Sequence, residues 1–365
     1  ASSGLDEAAC RAQMARADAE HLPALDGAVQ ALRDEERAAV AEVRERVGQD
    51  RLPLLSLLQV EPLQMQSAHL SFQEFFAAQA ICSGKYRLPE GSPPPWQWPA
   101  FWANAVTLGS EMGDAFGWGL LRTAGVTGDT LDLSQKLGSD RPTVRRVLAA
   151  MLKTTELKHC SLLKNSLDVE SAMMLAKIGT ENGIMLSGMT RDQTKADFTN
   201  QGLQPADGIL MASDLKFTAV LTSLHLANNN IGAEGGIAIA QALKVDAVLT
   251  TLVLKCNSIG VEGAKAIAEA LKVNAVVATL VLNSNNIRNE GAIAIAEALK
   301  VNAVVTELIL SWNSIGVNGA MAIAEALKVN AVLTILSLGN NNLGVAGKTA
   351  VQDAVKGRSG FQLYL

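Results

Sequence analysis

The chain has 365 residues, of which 48% are apolar and only 4% aromatic, so aliphatic side chains must form most of its core. A net charge of -5 without any Lys/Arg block argues against nucleic acid as the primary partner, and no long uncharged apolar run predicts a transmembrane segment. The four cysteines are far apart and lack closely spaced histidine pairs, so we expect free thiols, with no metal site and no cofactor.

The N-terminal region, residues 1–50, is rich in Ala, Glu and Arg, which predicts a helical segment or a linker. The chain starts with "ASSG" instead of Met and shows no signal segment, so we expect a processed product or a fragment. Free cysteines are typical of a reducing compartment. We therefore expect an intracellular protein, with the cytoplasm as the first candidate and an organelle if a targeting segment has been removed.

Residues 51–128 predict a smaller helical domain, because apolar residues recur at helical spacing on both sides of a proline-rich stretch. That stretch, residues 86–99, holds five of the chain's ten prolines. Proline has no backbone N–H and a fixed φ, so we predict an extended connector here and no regular element.

Residues 129–365 predict a solenoid, because similar letters return at a fixed period. Degenerate units run to about residue 214, as expected for the end of an array, where one face has no neighbour to cover it. Five regular units of 28 residues follow, beginning at Leu221, Leu249, Val277, Val305 and Leu333. A terminal strand is predicted at 361–365, with Phe361 and Tyr364 in register to replace inward leucines and to cap the sheet.

Each regular unit combines a strand pattern with a helix pattern. Leu252 and Leu254 alternate, which predicts a short strand with its leucines inward. Apolar residues from Ala264 to Leu271 have helical spacing, and Asn274 is predicted to end that helix in a left-handed conformation. Stacked units bury both apolar sides. The predicted fold class is therefore α/β, a curved solenoid with a parallel inner sheet and outer helices, preceded by the smaller all-α region.

An asparagine recurs in the loop after the strand of every regular unit. Because its position is periodic and inward, we expect its amide to satisfy backbone groups of adjacent turns and not to bind a ligand. This predicted structural ladder consists of Asn229, Asn257, Asn285, Asn313 and Asn341.

The repeat pattern resembles leucine-rich repeats of the ribonuclease-inhibitor type over residues 155–365. Upstream, "HLSFQEFFAAQAI" (His69–Ile81) resembles the helical segment between the nucleotide-binding and repeat regions of NACHT leucine-rich-repeat (NOD-like) receptors. These resemblances imply a protein that binds other proteins. The phosphate-binding pattern GxxxxGK[ST] of those receptors does not occur here, so any nucleotide-binding module would lie before residue 1.

Binding information is expected where the copies differ, chiefly on the inner strand face. Val253, Val281 and Ile309 would form an exposed apolar stripe, with Trp312 as the anchor for a protein partner. The alternative is that β-branched residues merely suit strands and that Trp312 packs on its neighbouring loop. The full set of candidate partner-binding residues is His225, Val253, Lys255, Cys256, Val281, Glu307, Ile309, Trp312 and Ile335.

No spacing brings catalytic side chains together, so we expect no enzyme but a protein–protein interaction scaffold, the C-terminal part of a receptor-like or regulatory protein. Arg288 stands where four other copies have glycine. A tolerated loop substitution is the simpler interpretation, but leucine-rich-repeat GTPase activators share this repeat type, so a GTPase-activating regulator is an alternative. A permanent structural subunit of a large assembly is another.

Overall fold

The computed structural model describes residues 55–59, 64–67, 70–154 and 156–365, so the predicted segment 1–50 lies outside the described residues. The chain divides into two compact units, residues 1–79 and 80–365. In the first unit, strands β1 (Leu55–Gln59) and β2 (Gln64–Ser67) pair antiparallel, and helix α1 (Leu70–Cys82) begins soon after.

The β1–β2 hairpin corrects the prediction of an all-α region over residues 51–128, where helices and a proline-rich connector at 86–99 were expected. Pro53 precedes the first strand and Pro62 lies between the two strands. A proline removes a helical hydrogen bond and disfavours helical backbone in the residue before it, so this stretch is too short for a helix on either side.

The second unit opens with a compact helical region. Helices α2 (Ala103–Glu111) and α3 (Asp114–Thr123) follow the proline-rich connector, which Trp98 fixes in place. The buried indole of Trp98 stacks on Trp102 at 4.3 Å and donates a hydrogen bond of 3.1 Å to the Pro93 carbonyl. This hydrogen bond compensates the burial of the indole N–H. The helices expected before the solenoid are therefore present.

From residue 130 onward, three-residue strands alternate with helices. The strands are β3 (Thr130–Asp132), β4 (His159–Ser161), β5 (Lys195–Asp197), β6 (Ser223–His225), β7 (Thr251–Val253), β8 (Thr279–Val281), β9 (Glu307–Ile309), β10 (Ile335–Ser337) and β11 (Gln362–Tyr364). The helices are α4 (Arg141–Met151), α5 (Val169–Asn182), α6 (Pro205–Asp214), α7 (Gly232–Leu243), α8 (Gly260–Leu271), α9 (Arg288–Leu299), α10 (Val317–Val329) and α11 (Gly344–Val355).

The strands form parallel sheets in chain order, a two-stranded sheet of β3 and β4 and a seven-stranded sheet of β5 to β11. The central leucine of each regular strand aligns with that of the next and is fully buried; the aligned residues are Leu224, Leu252, Leu280, Leu308 and Leu336. Consecutive helices from α6 to α11 pack against one another, and Ile267, Ala268 and Leu271 of α8 are buried. The predicted solenoid of parallel strands and packed helices is confirmed.

The sheet is interrupted between β4 and β5. The amide of Cys160 in β4 donates to the Met185 carbonyl at 2.8 Å, whereas β5 pairs with β6. Residues 187–194 separate these two pairings. The strand of this one unit is thus split into two pieces. One piece forms hydrogen bonds with β4 and the other with β6, and this division accounts for the degenerate sequence of the unit.

A buried carboxylate holds the first piece of the split strand. Asp214, at the end of α6, is fully buried and accepts hydrogen bonds from the amides of Leu186 and Ser187 and from the Ser187 hydroxyl, at 2.6 to 2.9 Å. Burial raises the pKa of the Asp214 carboxyl to about 6, and these donors oppose that rise.

The Asp214 carboxyl should make stability depend on pH. The unfolded chain ionises Asp214 near the ordinary value of 3.8 and the folded chain near 6, so between these values the folded state binds more protons. The free energy of unfolding should therefore fall from pH 4 to pH 6, and above pH 6 Asp214 should make no further contribution to its pH dependence. Urea melts across that range should show a smaller decline for Asp214→Asn; an equal decline in both proteins would contradict the assignment.

A second asparagine row runs along the loops that follow the helices. Asn274 is buried, donates to the Leu243 carbonyl of the preceding unit at 2.8 Å and accepts from the Val277 amide at 2.9 Å. Asn302 and Asn330 repeat this pattern. The prediction that Asn274 ends its helix in a left-handed conformation is wrong: α8 ends at Leu271, and Asn274 is not among the described residues with positive φ.

The last strand is shifted by one residue from its predicted register. Leu363, not Tyr364, pairs with Leu336, and Tyr364 pairs with Ser337 and is 54% exposed. Since a shift of one residue exchanges the two faces of a strand, the tyrosine lies on the open face and the leucine faces the helices.

Arg358 completes the C-terminal end of the array. It stands 28 residues after Asn330, and its guanidinium donates to the Asn330 carbonyl at 2.9 Å and also to the Leu333 carbonyl. The same guanidinium lies 4.6 Å from the ring centre of Phe361. An arginine thus replaces the asparagine of the second row and satisfies the last carbonyl groups, where no further unit follows in the structure.

Candidate protein-binding face

The asparagine ladder fixes the loops next to the strand face. The side-chain amide of Asn285 donates to the carbonyls of Leu254 and Leu282 at 2.7 and 3.0 Å. Its oxygen accepts from the amides of Asn257 and Ile259 at 2.9 and 3.2 Å. Equivalent bonds are made by Asn165, Asn229, Asn257, Asn313 and Asn341. Each amide therefore joins one unit to the one before it.

The structure brings the candidate residues together in three parallel rows. The first row, at the start of the strands, contains Glu307 beside Ile335. The middle row, at the end of the strands, contains His225, Val253, Val281 and Ile309, paired in that order. Lys255, Cys256 and Trp312 lie in the loops just after the strands. All nine residues thus share the side of the sheet opposite the buried leucines.

The middle row presents a short apolar stripe. Val253, Val281 and Ile309 are half-buried, while the leucine before each of them is fully buried. Adjacent strands in a sheet lie about 4.8 Å apart, so three neighbouring strands carry a continuous apolar strip. Lys255 is exposed at one side of the strip, and this surface has room for a partner's side chains.

Trp312 is the most exposed apolar side chain of this face, at 61% exposure. No hydrogen bond to its indole N–H and no ring contact occurs in the part of the chain that the structure describes. At this exposure most of the indole surface is open to solvent, whichever loop atoms the rest of it contacts.

Polar groups flank the apolar stripe. Asp197 precedes His225 in the middle row; the Thr199 side chain and amide, and then the His225 charge, hold the pKa of Asp197 below its usual range. On the other side, the Thr279 hydroxyl donates to Glu307 at 3.3 Å. Tyr364 ends the middle row, beside Ser337. The sequence analysis did not identify it as a surface residue, because it aligned Tyr364 instead of Leu363 with the buried Leu336.

Arg288 lies next to this face in a left-handed conformation, with φ of 60°. Its amide donates to the carbonyl of Asn313, the residue after Trp312, at 2.9 Å. Its side chain is exposed and donates to Asn286 at 3.2 Å.

Within the described residues, no group of three His, Cys, Asp or Glu side chains is arranged to hold a metal ion. Nor does any helix there have the length and apolar character needed to span a bilayer.

Four segments of the chain match the family model of the leucine-rich repeat, at residues 219–240, 246–268, 273–296 and 301–324. The chain thus contains leucine-rich repeats, and with the alternating strands and helices they define a leucine-rich-repeat solenoid. A solved structure titled "Leiomodin-1 Actin-Binding Site 2 (ABS2)" is 27% identical, covers 41% of this chain and 86% of its own, and has a TM-score of 0.35, too low to support a conclusion. Comparison with curated proteins gives no match.

Proposed function

We propose that the chain is a non-enzymatic scaffold that binds a protein partner on the strand face of β6 to β10. The observation that carries this proposal is Trp312, exposed beside the apolar stripe of Val253, Val281 and Ile309. Tryptophan is enriched among residues that dominate binding energy, and apolar patches with polar rims are typical of interaction sites.

The finer classification is also a proposal. Strand–helix units of 28 residues support the ribonuclease-inhibitor type of repeat, in which each strand is followed by a full helix. A relationship to NOD-like receptors depends on His69–Ile81 alone and stays a prediction, as does the place of this chain at the C-terminal end of such a protein.

A charge placed in the apolar stripe should abolish partner binding. Val281→Asp puts a carboxylate among Val253 and Ile309, where a bound partner would have to desolvate it. We expect the amount of partner retained from a cell extract by the immobilised chain to fall by about tenfold or more. Quantitative mass spectrometry of the retained proteins measures this fall.

Val273→Asp is the matched control. Val273 is 63% exposed in the loop between α8 and β8, before the start of the strand that carries Val281, so Val273→Asp makes the same chemical change away from the proposed face. It should retain the partner as the unchanged chain does, and thermal melts should show both variants folded. The proposed face would be contradicted if Val281→Asp retained as much partner as the unchanged chain, or if Val273→Asp lost as much partner as Val281→Asp.

The two alternative roles stay predictions. Stimulated GTP hydrolysis by candidate small GTPases would support an activator, and recovery of the chain only within a large complex of fixed composition would support a permanent structural subunit.

A further inference from the structure

Two exposed residues depart from the other copies at positions where the backbone is left-handed. Trp312 has φ of 59° at a loop position that is left-handed in the other units too, where those units carry smaller or polar residues. Arg288 has φ of 60° where other units carry a left-handed glycine. The other left-handed copies are Gln135, Lys164, Asn200, Asn228, Cys256, Ser284 and Asn340 for the first position and Gly232, Gly260 and Gly344 for the second.

Both residues are unfavourable choices for their backbone. Left-handed conformation suits glycine and, next best, asparagine, whereas a large side chain is strained there. Other units form the same left-handed loops with asparagine or glycine, which suit this backbone better. Neither substitution is therefore required by the solenoid itself.

The folded chain does not compensate this strain by side-chain contacts. Trp312 is 61% exposed, and in the part of the chain that the structure describes the Arg288 guanidinium makes one hydrogen bond, to Asn286. Among the described residues, no carboxylate lies within ion-pair distance of Arg288.

The two side chains start from neighbouring points of the same rim. The amide of Arg288 donates to the carbonyl of Asn313, directly after Trp312. The surrounding exposed residues Asn286, Ser314 and Asn340 are uncharged; Glu290 follows two residues after Arg288, but within the described residues Arg288 forms no ion pair with it.

We propose that the rim of Trp312 and Arg288 binds an acidic segment of the protein partner, one that places an apolar side chain next to a carboxylate. The uncompensated guanidinium would pair with the carboxylate in fork geometry, and the exposed indole would cover the apolar side chain. This inference rests on the proposed function and specifies the chemistry of the partner at one edge of the binding face.

The test uses a random peptide library displayed on phage and panned on the whole chain. Selected peptides should carry Asp or Glu beside an apolar residue. Trp312→Asn and Arg288→Gly, which restore the residues of the other copies, should each raise the Kd of a selected peptide by about thirtyfold. Their melting temperatures should equal or exceed that of the unchanged chain, since the strain is removed.

Three outcomes would overturn the inference: no enrichment, selected peptides without acidic residues, or a Kd unchanged in both variants. A lower melting temperature in both would also overturn it, because the side chains would then serve the fold. If Val281→Asp alone abolishes peptide binding, the strand-face proposal survives and the rim does not. If none of the three variants affects binding, both proposals fail.

Discussion

Replacement of Asn285 by alanine should lower the free energy of unfolding by about 3–4 kcal/mol, the sum expected from several buried backbone groups left without partners. The Asn285 side chain is 1% exposed and satisfies the Asn257 and Ile259 amides together with the carbonyls of Leu254 and Leu282. Alanine offers neither donor nor acceptor, and water cannot reach these groups without opening the array. Urea denaturation of the full chain measures the loss.

Asn286→Ala is the matched control. Asn286 is the next residue, is exposed, and its side chain accepts one hydrogen bond within the described residues, from Arg288. Its substitution should cost about 1 kcal/mol or less, mainly through the left-handed backbone at φ of 56°. If the two variants lose equal stability, the ladder is not what joins the units.

Removal of residues 361–365 should lower stability by about 3 kcal/mol and cause self-association. These residues supply β11, which pairs with β10, and the Leu338 amide donates to the Tyr364 carbonyl at 2.7 Å. Without the strand, the edge of β10 presents unpaired N–H and C=O groups to other chains. Urea melts and light scattering after size exclusion measure the two effects.

Tyr364→Ala is the control that distinguishes the pairing of β11 from the contribution of the exposed Tyr364 side chain. Because this tyrosine is 54% exposed, its loss should change neither stability nor the monomer fraction appreciably. A truncated chain that is as stable and as monomeric as the full chain would show that β11 is not a cap.

The repeat made most of the fold predictable from the sequence. The alternation of Leu252 and Leu254 and the helical spacing from Ala264 to Leu271 place strand and helix in every regular unit, as the structure has them. A repeated unit supports such a prediction because each copy gives the same answer independently. The candidate binding residues followed from the same counting, since they are the strand positions where copies differ.

Features that depend on contacts between distant residues were not predictable. The Asn274 side chain bonds with the preceding unit, which periodicity alone cannot distinguish from the end of a helix. The split strand before β5 depends on Asp214, which follows it in the chain. The register of β11 depends on a turn that brings Leu363, not Tyr364, opposite Leu336.

Hydrogen–deuterium exchange of the chain with and without its captured partner tests the binding face most directly. We expect added protection to be confined to residues 223–228, 251–256, 279–288, 307–312 and 335–340, where the strands and the loops after them form the face and its rim, with the rest of helices α7 to α10 unchanged. Protection confined to those helices, with the strands and their loops unaffected, would contradict it.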